Sequence, residues 1–299
     1  NKKKIIFDKD KKIKIAFLSS DFRKHSVSFF LKDLFFYIDK KMFELIALSN
    51  LGKDEEDNMS QDIKNFTNEW HVIFEKTDIE IINLIKSLDV DILIDLNGLT
   101  EGNRINVVKN RCAPIQICWL GYNNSTGLKN MDYLIADHNL IKKSEEKLYS
   151  EKILYLPKIW NTYSRPTELP PISYLNEKDS SLFSYGSFNN FKKISDDTIE
   201  TWSKIIRNSN SQIYLKNPHK DDSVDLKKNI IKKFTDKGVQ KEKIIFLEYQ
   251  KNTFNHLNLY NKIDLALDTF PCTGVTTTFE AVLMGVPVLT MKGYNFNSR

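Results

Sequence analysis

The chain is predicted to be α/β, with two doubly wound units in series. Short runs of continuous apolar residues alternate with amphipathic segments almost from end to end. A stretch rich in Pro, Ser and Thr between residues 157 and 176 interrupts the rhythm, which then restarts. The length, 299 residues, suits about two domains. Strands that are apolar throughout belong to a parallel sheet covered by helices on both faces.

In the first half, apolar strands are expected at residues 13–18, 43–48, 91–96, 115–120, 133–136 and 153–156, with a short one at 72–74. Helical patterns fall near 27–38, 56–69 and 79–88. After the proline-rich stretch, strands are expected at 182–185, 212–215, 243–247, 263–267 and 286–290. The intervening helices are expected at 196–207, 223–237, 253–262 and 276–284. The division is therefore 1–160, a linker at 161–180, and 181–299. In such sheets ligands bind at the carboxyl ends of the strands, and the cleft between two units is the default site.

Hydrophobic residues make up 41% and charged residues 28%, which excludes disordered and membrane classes. No apolar run approaches the ~20 residues needed to span a bilayer. Asn1-Lys2-Lys3-Lys4 is basic but lacks the long apolar region of a signal peptide. The absence of an initial Met and the abrupt Ser298-Arg299 end lead us to expect a fragment of a longer protein. Cys112, Cys118 and Cys272 form no CxxC pair, which fits a reducing cytoplasm and argues against structural zinc. The net charge of +5 is mild and the lysines are dispersed, so neither nucleic acid nor membrane is an expected partner.

The most informative segment is Leu267-Asp268-Thr269-Phe270-Pro271-Cys272-Thr273-Gly274-Val275-Thr276-Thr277-Thr278-Phe279-Glu280. It reads as strand, loop and helix start. Free N–H groups and the helix dipole make such a start an anion site, and Thr hydroxyls add donors without charge. Glu280, one turn in, can accept hydrogen bonds from a sugar diol. The same pattern is also an ordinary Thr-capped helix. Ser20-Asp21-Phe22-Arg23-Lys24-His25-Ser26 follows the first strand, which puts His25 at a carboxyl end as a base, as a substrate contact, or as an incidental capping residue. Gly186-Ser187-Phe188-Asn189-Asn190-Phe191-Lys192-Lys193 follows the first strand of the second half. One of its lysines can meet a leaving phosphate; both can equally be solvated. Trp119-Leu120-Gly121-Tyr122 also ends a strand, with Trp119 a core candidate and Tyr122 a wall candidate. His256 reads as a partly buried packing residue, and His71, His138 and His219 have no metal-like partner at i+4. Asp89-Val90-Asp91 formally matches a metal-holding DxD but enters its strand from the amino end, and is read as a turn.

Taken in order, these segments resemble the catalytic region of the protein O-GlcNAc transferase and SPINDLY group of glycosyltransferases (family 41 type). The resemblance rests on Ser19-Ser20-Asp21-Phe22 with His25-Ser26-Val27-Ser28, Asp95-Leu96-Asn97-Gly98, Ala113-Pro114-Ile115-Gln116, Trp119-Leu120-Gly121-Tyr122, Met131-Asp132-Tyr133, Gly186-Ser187-Phe188-Asn189-Asn190, and the run from Leu267 through Gly285-Val286-Pro287. It covers about residues 13 to 299. It implies a GT-B fold: two Rossmann-like lobes facing a central cleft, here with the second lobe truncated at its C-terminal end. It implies inverting transfer of a sugar from a nucleotide donor to Ser or Thr hydroxyls of proteins, without a metal or cofactor, and tetratricopeptide repeats upstream. By resemblance, His25 matches an active-site histidine whose role as base is debated. Lys193 matches the lysine at the donor diphosphate, and Asn190 a polar residue near the donor. His256 matches the histidine beside the nucleotide base. Thr276 and Thr277, with Thr278 beside them, match the phosphate-contacting threonines, and Glu280 stands where an acidic residue holds the ribose. Val275 and Thr253 depart from the pattern: Val275 stands where His or Gly is usual, and Thr253 where animal enzymes place Lys. UDP-GlcNAc is the expected donor. GDP-fucose, used by plant SPINDLY members, is the alternative. A non-catalytic scaffold of the same fold need not keep His25, Lys193, Thr276, Thr277 and Glu280 together. A two-lobe nucleotide-sugar epimerase is disfavoured by the Trp119 and Ser187 segments.

Overall fold

The computed structural model describes residues 11–173, 182–218 and 224–299. The chain divides into two units, Asn1–Arg165 and Pro166–Arg299. His219, Asn176 and Ser223, which the sequence reading touches, lie outside the described residues.

The first unit runs β1 (Ile13–Ser19), α1 (Ser26–Tyr37), β2 (Phe43–Ser49), α2 (Asn58–Phe66), β3 (Glu69–Val72), α3 (Asp78–Ser87), β4 (Ile92–Asp95), α4 (Ile105–Val108), β5 (Ile115–Cys118), β6 (Tyr133–Ala136) and β7 (Lys152–Tyr155). Its seven strands lie in the order β3-β2-β1-β4-β5-β6-β7, and every pairing is parallel. The central strands are apolar on both faces because both are covered: Leu45, Ile46 and Leu48 of β2 are fully buried, as are Leu31 and Phe35 of α1. Helix starts are fixed by side-chain caps. Asp57 accepts from the Met59 and Ser60 amides at α2, and Thr77 and Glu80 form a reciprocal capping box at α3.

Two sequence expectations change here. The strand at 72–74 is instead β3, and the helix expected to reach residue 69 stops at Phe66. Asn68 ends it: its amide donates to the Leu45 carbonyl and its side chain accepts from the Leu45 amide. That exchange starts an edge strand, whose half-polar residues carry a weak period. The proline-rich stretch is also tied down at its start. Trp160, Asn161 and Ser164 are buried, and the Ser164 amide donates to Phe29 of α1 at 2.7 Å.

The second unit runs β8 (Phe183–Ser187), α5 (Asp196–Arg207), β9 (Ser211–Leu215), α6 (Val224–Asp236), β10 (Ile244–Phe246), α7 (Thr253–Asn258), β11 (Leu265–Leu267), α8 (Thr276–Leu283) and β12 (Val288–Leu289). The order is β10-β9-β8-β11-β12, again all parallel. One core, with Trp202, Ile206 and Phe234, lies beneath α5 and α6. Another, with Phe188, Tyr260, Ile263 and Met284, lies around α7 and α8. The helix expected over 253–262 stops at Asn258 and tightens into a 3-10 turn, Leu259–Lys262. The strand expected from 263 begins at Leu265, because the Ile263 amide bonds back to the Tyr260 carbonyl. Its side chain fills the space a Cβ on Gly186 would occupy, at 2.6 Å. Among the described residues no helix is long and apolar enough to cross a membrane.

Candidate functional site

In the second unit the chemistry gathers where β8 and β11 end. Asp268, just past β11, is the hub. Its Oδ1 accepts from the Thr269 amide at 2.9 Å, the Gly274 amide at 2.7 Å and Asn189 Nδ2 at 3.1 Å. Its Oδ2 accepts from the Thr290 hydroxyl at 2.8 Å. One carboxylate thus folds the whole Thr269–Gly274 loop against the loop after β8. Asn189 returns the link through Oδ1, which accepts from the Thr277 hydroxyl at 3.1 Å. A Cβ on Gly274 would lie 2.4 Å from Thr277 Oγ1, so the loop passes the helix start at a distance only glycine allows.

That loop delivers the start of α8 uncapped. Val275 occupies the N-cap and supplies no side-chain acceptor. The Thr278 and Phe279 amides return to the Val275 carbonyl, whereas the Thr276 and Thr277 amides have no acceptor among the described residues. The Thr278 hydroxyl donates to the Gly274 carbonyl at 3.1 Å. The result is two directed N–H groups at the positive end of a helix dipole.

Lys193 comes to the same loop. Asn190 caps the short turn Phe191–Lys193 by accepting from the Lys192 amide. This turn leaves Lys192 exposed and Lys193 half-buried, with Lys193 Nζ 2.9 Å from the Thr273 carbonyl. The two adjacent lysines are therefore distinguished: one is solvated and the other is held against the loop that leads into α8.

His256 and Glu280 also meet, and they meet each other. His256 Nε2 is 2.9 Å from Glu280 Oε2, and Glu280 is only 5% exposed. The carboxylate expected to hold a ribose is already engaged at one oxygen.

His25 belongs to the first unit, at the carboxyl end of β1. Its Nδ1 accepts from the Val27 amide at 3.4 Å as the N-cap of α1 and lies 3.6 Å from Asp21 Oδ1. Asp21 is fixed by Asn97 Nδ2 at 2.9 Å, and Asn97 Oδ1 accepts from the Ser20 amide at 2.9 Å. Behind them, burial pushes the Asp95 carboxyl up to about 6, partly offset by the Asn97 and Gly98 amides it accepts. The Asp95–Gly98 turn and the Trp119–Tyr122 segment interlock. Gly98 has a left-handed φ of 56°, and a Cβ there would lie 2.4 Å from Tyr122 Cβ. Trp119 is core, as expected, and its indole N–H donates to the Trp160 carbonyl at 3.0 Å.

Other motifs prove architectural. Gln116, fully buried, donates to the Val108 and Asn130 carbonyls and accepts from the Cys112 amide. Asp132 accepts from the Gln116 amide and pairs with Arg111. Asp89 sits in a turn with φ 51° and Asp91 Oδ2 accepts from the Lys14 amide, as the turn reading of that DxD expects. His71 bonds to Glu69, and His138 stacks on Tyr155. Among the described residues no three His, Cys, Asp or Glu side chains gather as metal ligands.

Comparison with known proteins places this geometry. The profile of Glycosyl transferase family 41 matches residues 1–164 and 174–299. The chain is 30% identical over 290 residues to a Petunia hybrida protein named probable UDP-N-acetylglucosamine–peptide N-acetylglucosaminyltransferase SPINDLY. It is 27% identical over 290 residues to the SEC relative of Arabidopsis thaliana. The alignments cover 96% and 94% of this chain but only 31% and 29% of those proteins. Among solved structures, a mutant O-GlcNAc transferase of Thermobaculum terrenum superposes with a TM-score of 0.90 at 29% identity, over 98% of this chain and 55% of that one. Anabaena HepE, in complex with UDP and glucose, shares the fold alone, with a TM-score of 0.59 at 13% identity over 92% of this chain and 80% of that one. The fold is that of the GT-B glycosyltransferases, with Rossmann-like α/β lobes. The chain belongs to glycosyl transferase family 41.

Proposed function

We propose that the chain is the catalytic region of a protein O-glycosyltransferase. It moves a sugar, GlcNAc from UDP-GlcNAc as first choice, onto Ser or Thr hydroxyls with inversion and without a metal. The observation that carries this reading is the convergence on one loop of Lys193, 2.9 Å from the Thr273 carbonyl, and an α8 start whose Thr276 and Thr277 amides have no acceptor among the described residues. A diphosphate leaving group needs that chemistry: fixed donors and a point charge where negative charge develops. In the proposed step the acceptor oxygen attacks the anomeric carbon opposite the diphosphate. The bond from that carbon to the phosphate oxygen breaks, and the nucleoside diphosphate leaves with the bonding pair. Thr276, Thr277 and Thr278 cradle the phosphates, with Asn190 close to the donor. His256 and Glu280 serve the nucleoside. His25 takes part in the transfer, and the proton of the acceptor hydroxyl passes, directly or through water, to the departing diphosphate.

GDP-fucose is the second donor to weigh, since His25-Ser26-Val27-Ser28, Gly186-Ser187-Phe188-Asn189-Asn190 and Asp268-Thr269-Phe270-Pro271 resemble the SPINDLY branch. The reading also places the protein in the cytoplasm, with tetratricopeptide repeats upstream to hold protein acceptors.

Thermal melts of the full-length protein with UDP-GlcNAc, UDP-glucose, GDP-fucose and GDP test the reading. The true donor at 100 times its Kd adds about 2.7 kcal/mol. Melting temperatures that ignore every nucleotide would favour a scaffold.

A further inference from the structure

We propose that Tyr260 is a positioning residue of the donor site, fixing the His256–Glu280 pair to the first turn of α8. This rests on the function proposed above, which makes that turn the diphosphate cradle.

Tyr260 lies on the 3-10 turn after α7 and is 1% exposed. Its phenol oxygen is 3.2 Å from the Thr277 carbonyl and 3.2 Å from Glu280 Oε2. The same Oε2 is 2.9 Å from His256 Nε2. The carboxylate oxygen therefore faces both side chains, and the phenol's one proton is shared between it and the Thr277 carbonyl. The phenol also reaches the main chain of a residue whose amide points out of the helix start. Ring packing makes the arrangement stiff: Phe188 lies 4.4 Å from the Tyr260 ring and 6.2 Å from His256.

The pair has a chemical consequence. A carboxylate that accepts at Nε2 places the proton of neutral His256 on that nitrogen. Nδ1 is then a bare acceptor, and it is buried with no partner among the described residues. A ligand N–H or O–H can donate to it. Tyr260 supports this state by holding Glu280 at a fixed height on the helix. A phenylalanine at 260 keeps the packing and removes only the hydroxyl.

The test uses the full-length protein, titrated with UDP and with GDP, and compares Tyr260→Phe with wild type. The Kd of the nucleotide that wild type binds is expected to rise about tenfold, the size of one charge-assisted hydrogen bond. Turnover at saturating donor is expected to stay within about twofold. Imidazole 15N shifts, assigned to His256 by the loss of its signals in His256→Gln, should show Nε2–H in wild type and a mixture of tautomers in Tyr260→Phe. Unchanged affinity and an unchanged tautomer overturn the inference alone. A wild type that binds neither nucleotide overturns the proposed function, and this role with it. Should Tyr260→Phe fail to fold, the wild-type spectrum decides: an unprotonated Nε2 or a protonated Nδ1 contradicts the proposal, and a proton on Nε2 alone supports it.

Discussion

Lys193→Ala is expected to lower turnover by roughly 10²–10³ while leaving the fold intact, the effect of removing one preorganised donor from a developing negative charge. In the structure Lys193 Nζ makes one hydrogen bond, to the Thr273 carbonyl at 2.9 Å. Losing it costs about 1 kcal/mol of stability. Its contribution to rate is larger because the charge it meets exists fully only as the diphosphate departs. Donor affinity should therefore change much less than kcat. The chain supplies its own control in Lys192, which is exposed. Lys192→Ala should turn over within about twofold of wild type, since a solvated surface charge is screened. Steady-state rates for both variants check the pair. A near-normal rate for Lys193→Ala, or equal losses for the two lysines, would remove the leaving-group role.

Gly121→Ala should destabilise the first unit by about 3 kcal/mol, because a Cβ at this position would lie 2.1 Å from the Leu96 carbonyl oxygen. That oxygen cannot yield. The Leu96 amide is bonded to Leu18, the Leu96 carbonyl already accepts from the Gly121 amide at 3.0 Å, and the Leu96 side chain is fully buried. For a unit of this size the melting temperature should fall by roughly 10 °C. Gly127 provides the comparison: it has a left-handed φ of 72°, with nothing within 4 Å of an added Cβ. Gly127→Ala therefore pays backbone strain alone, about 1 kcal/mol. Calorimetric melts of the two variants decide the point. A Gly121→Ala protein that melts with wild type would mean the Asp95–Gly98 and Trp119–Tyr122 segments do not interlock as described.

The sheets were legible because their strands are buried on both faces and so carry apolar runs, as in Leu45–Leu48 of β2 and Leu93–Ile94 of β4. The start of α8 was legible as strand, loop and helix, a pattern that an ordinary Thr-capped helix shares. The edge strand β3 was not. Glu69–Val72 carries Trp70 and His71 on a half-covered ladder, and its pattern blends into the helix before it. Residue type alone left Lys192 and Lys193 alike, and the fold separates them, one exposed and one held at the Thr273 carbonyl; pairing between distant residues was not legible either. Asp268 looks like any turn residue, yet it joins four partners from Asn189 to Thr290. Tyr260 looks like a core aromatic, and only the fold brings its hydroxyl to Glu280. Glu280 itself was placed on the correct turn of the correct helix, but its bond to His256 joins residues 24 apart in sequence, and no local pattern signals it.

Sugar transfer itself is the most direct measure of the central claim. The full-length protein is incubated with UDP-GlcNAc or GDP-fucose and Ser- and Thr-containing acceptor proteins in the presence of EDTA, and the acceptors are weighed by mass spectrometry. The account predicts one donor's sugar on Ser or Thr, with EDTA making no difference and Lys193→Ala forming product roughly 10²–10³ times more slowly. Acceptors left unmodified by both donors, although at least one nucleotide binds, would contradict it.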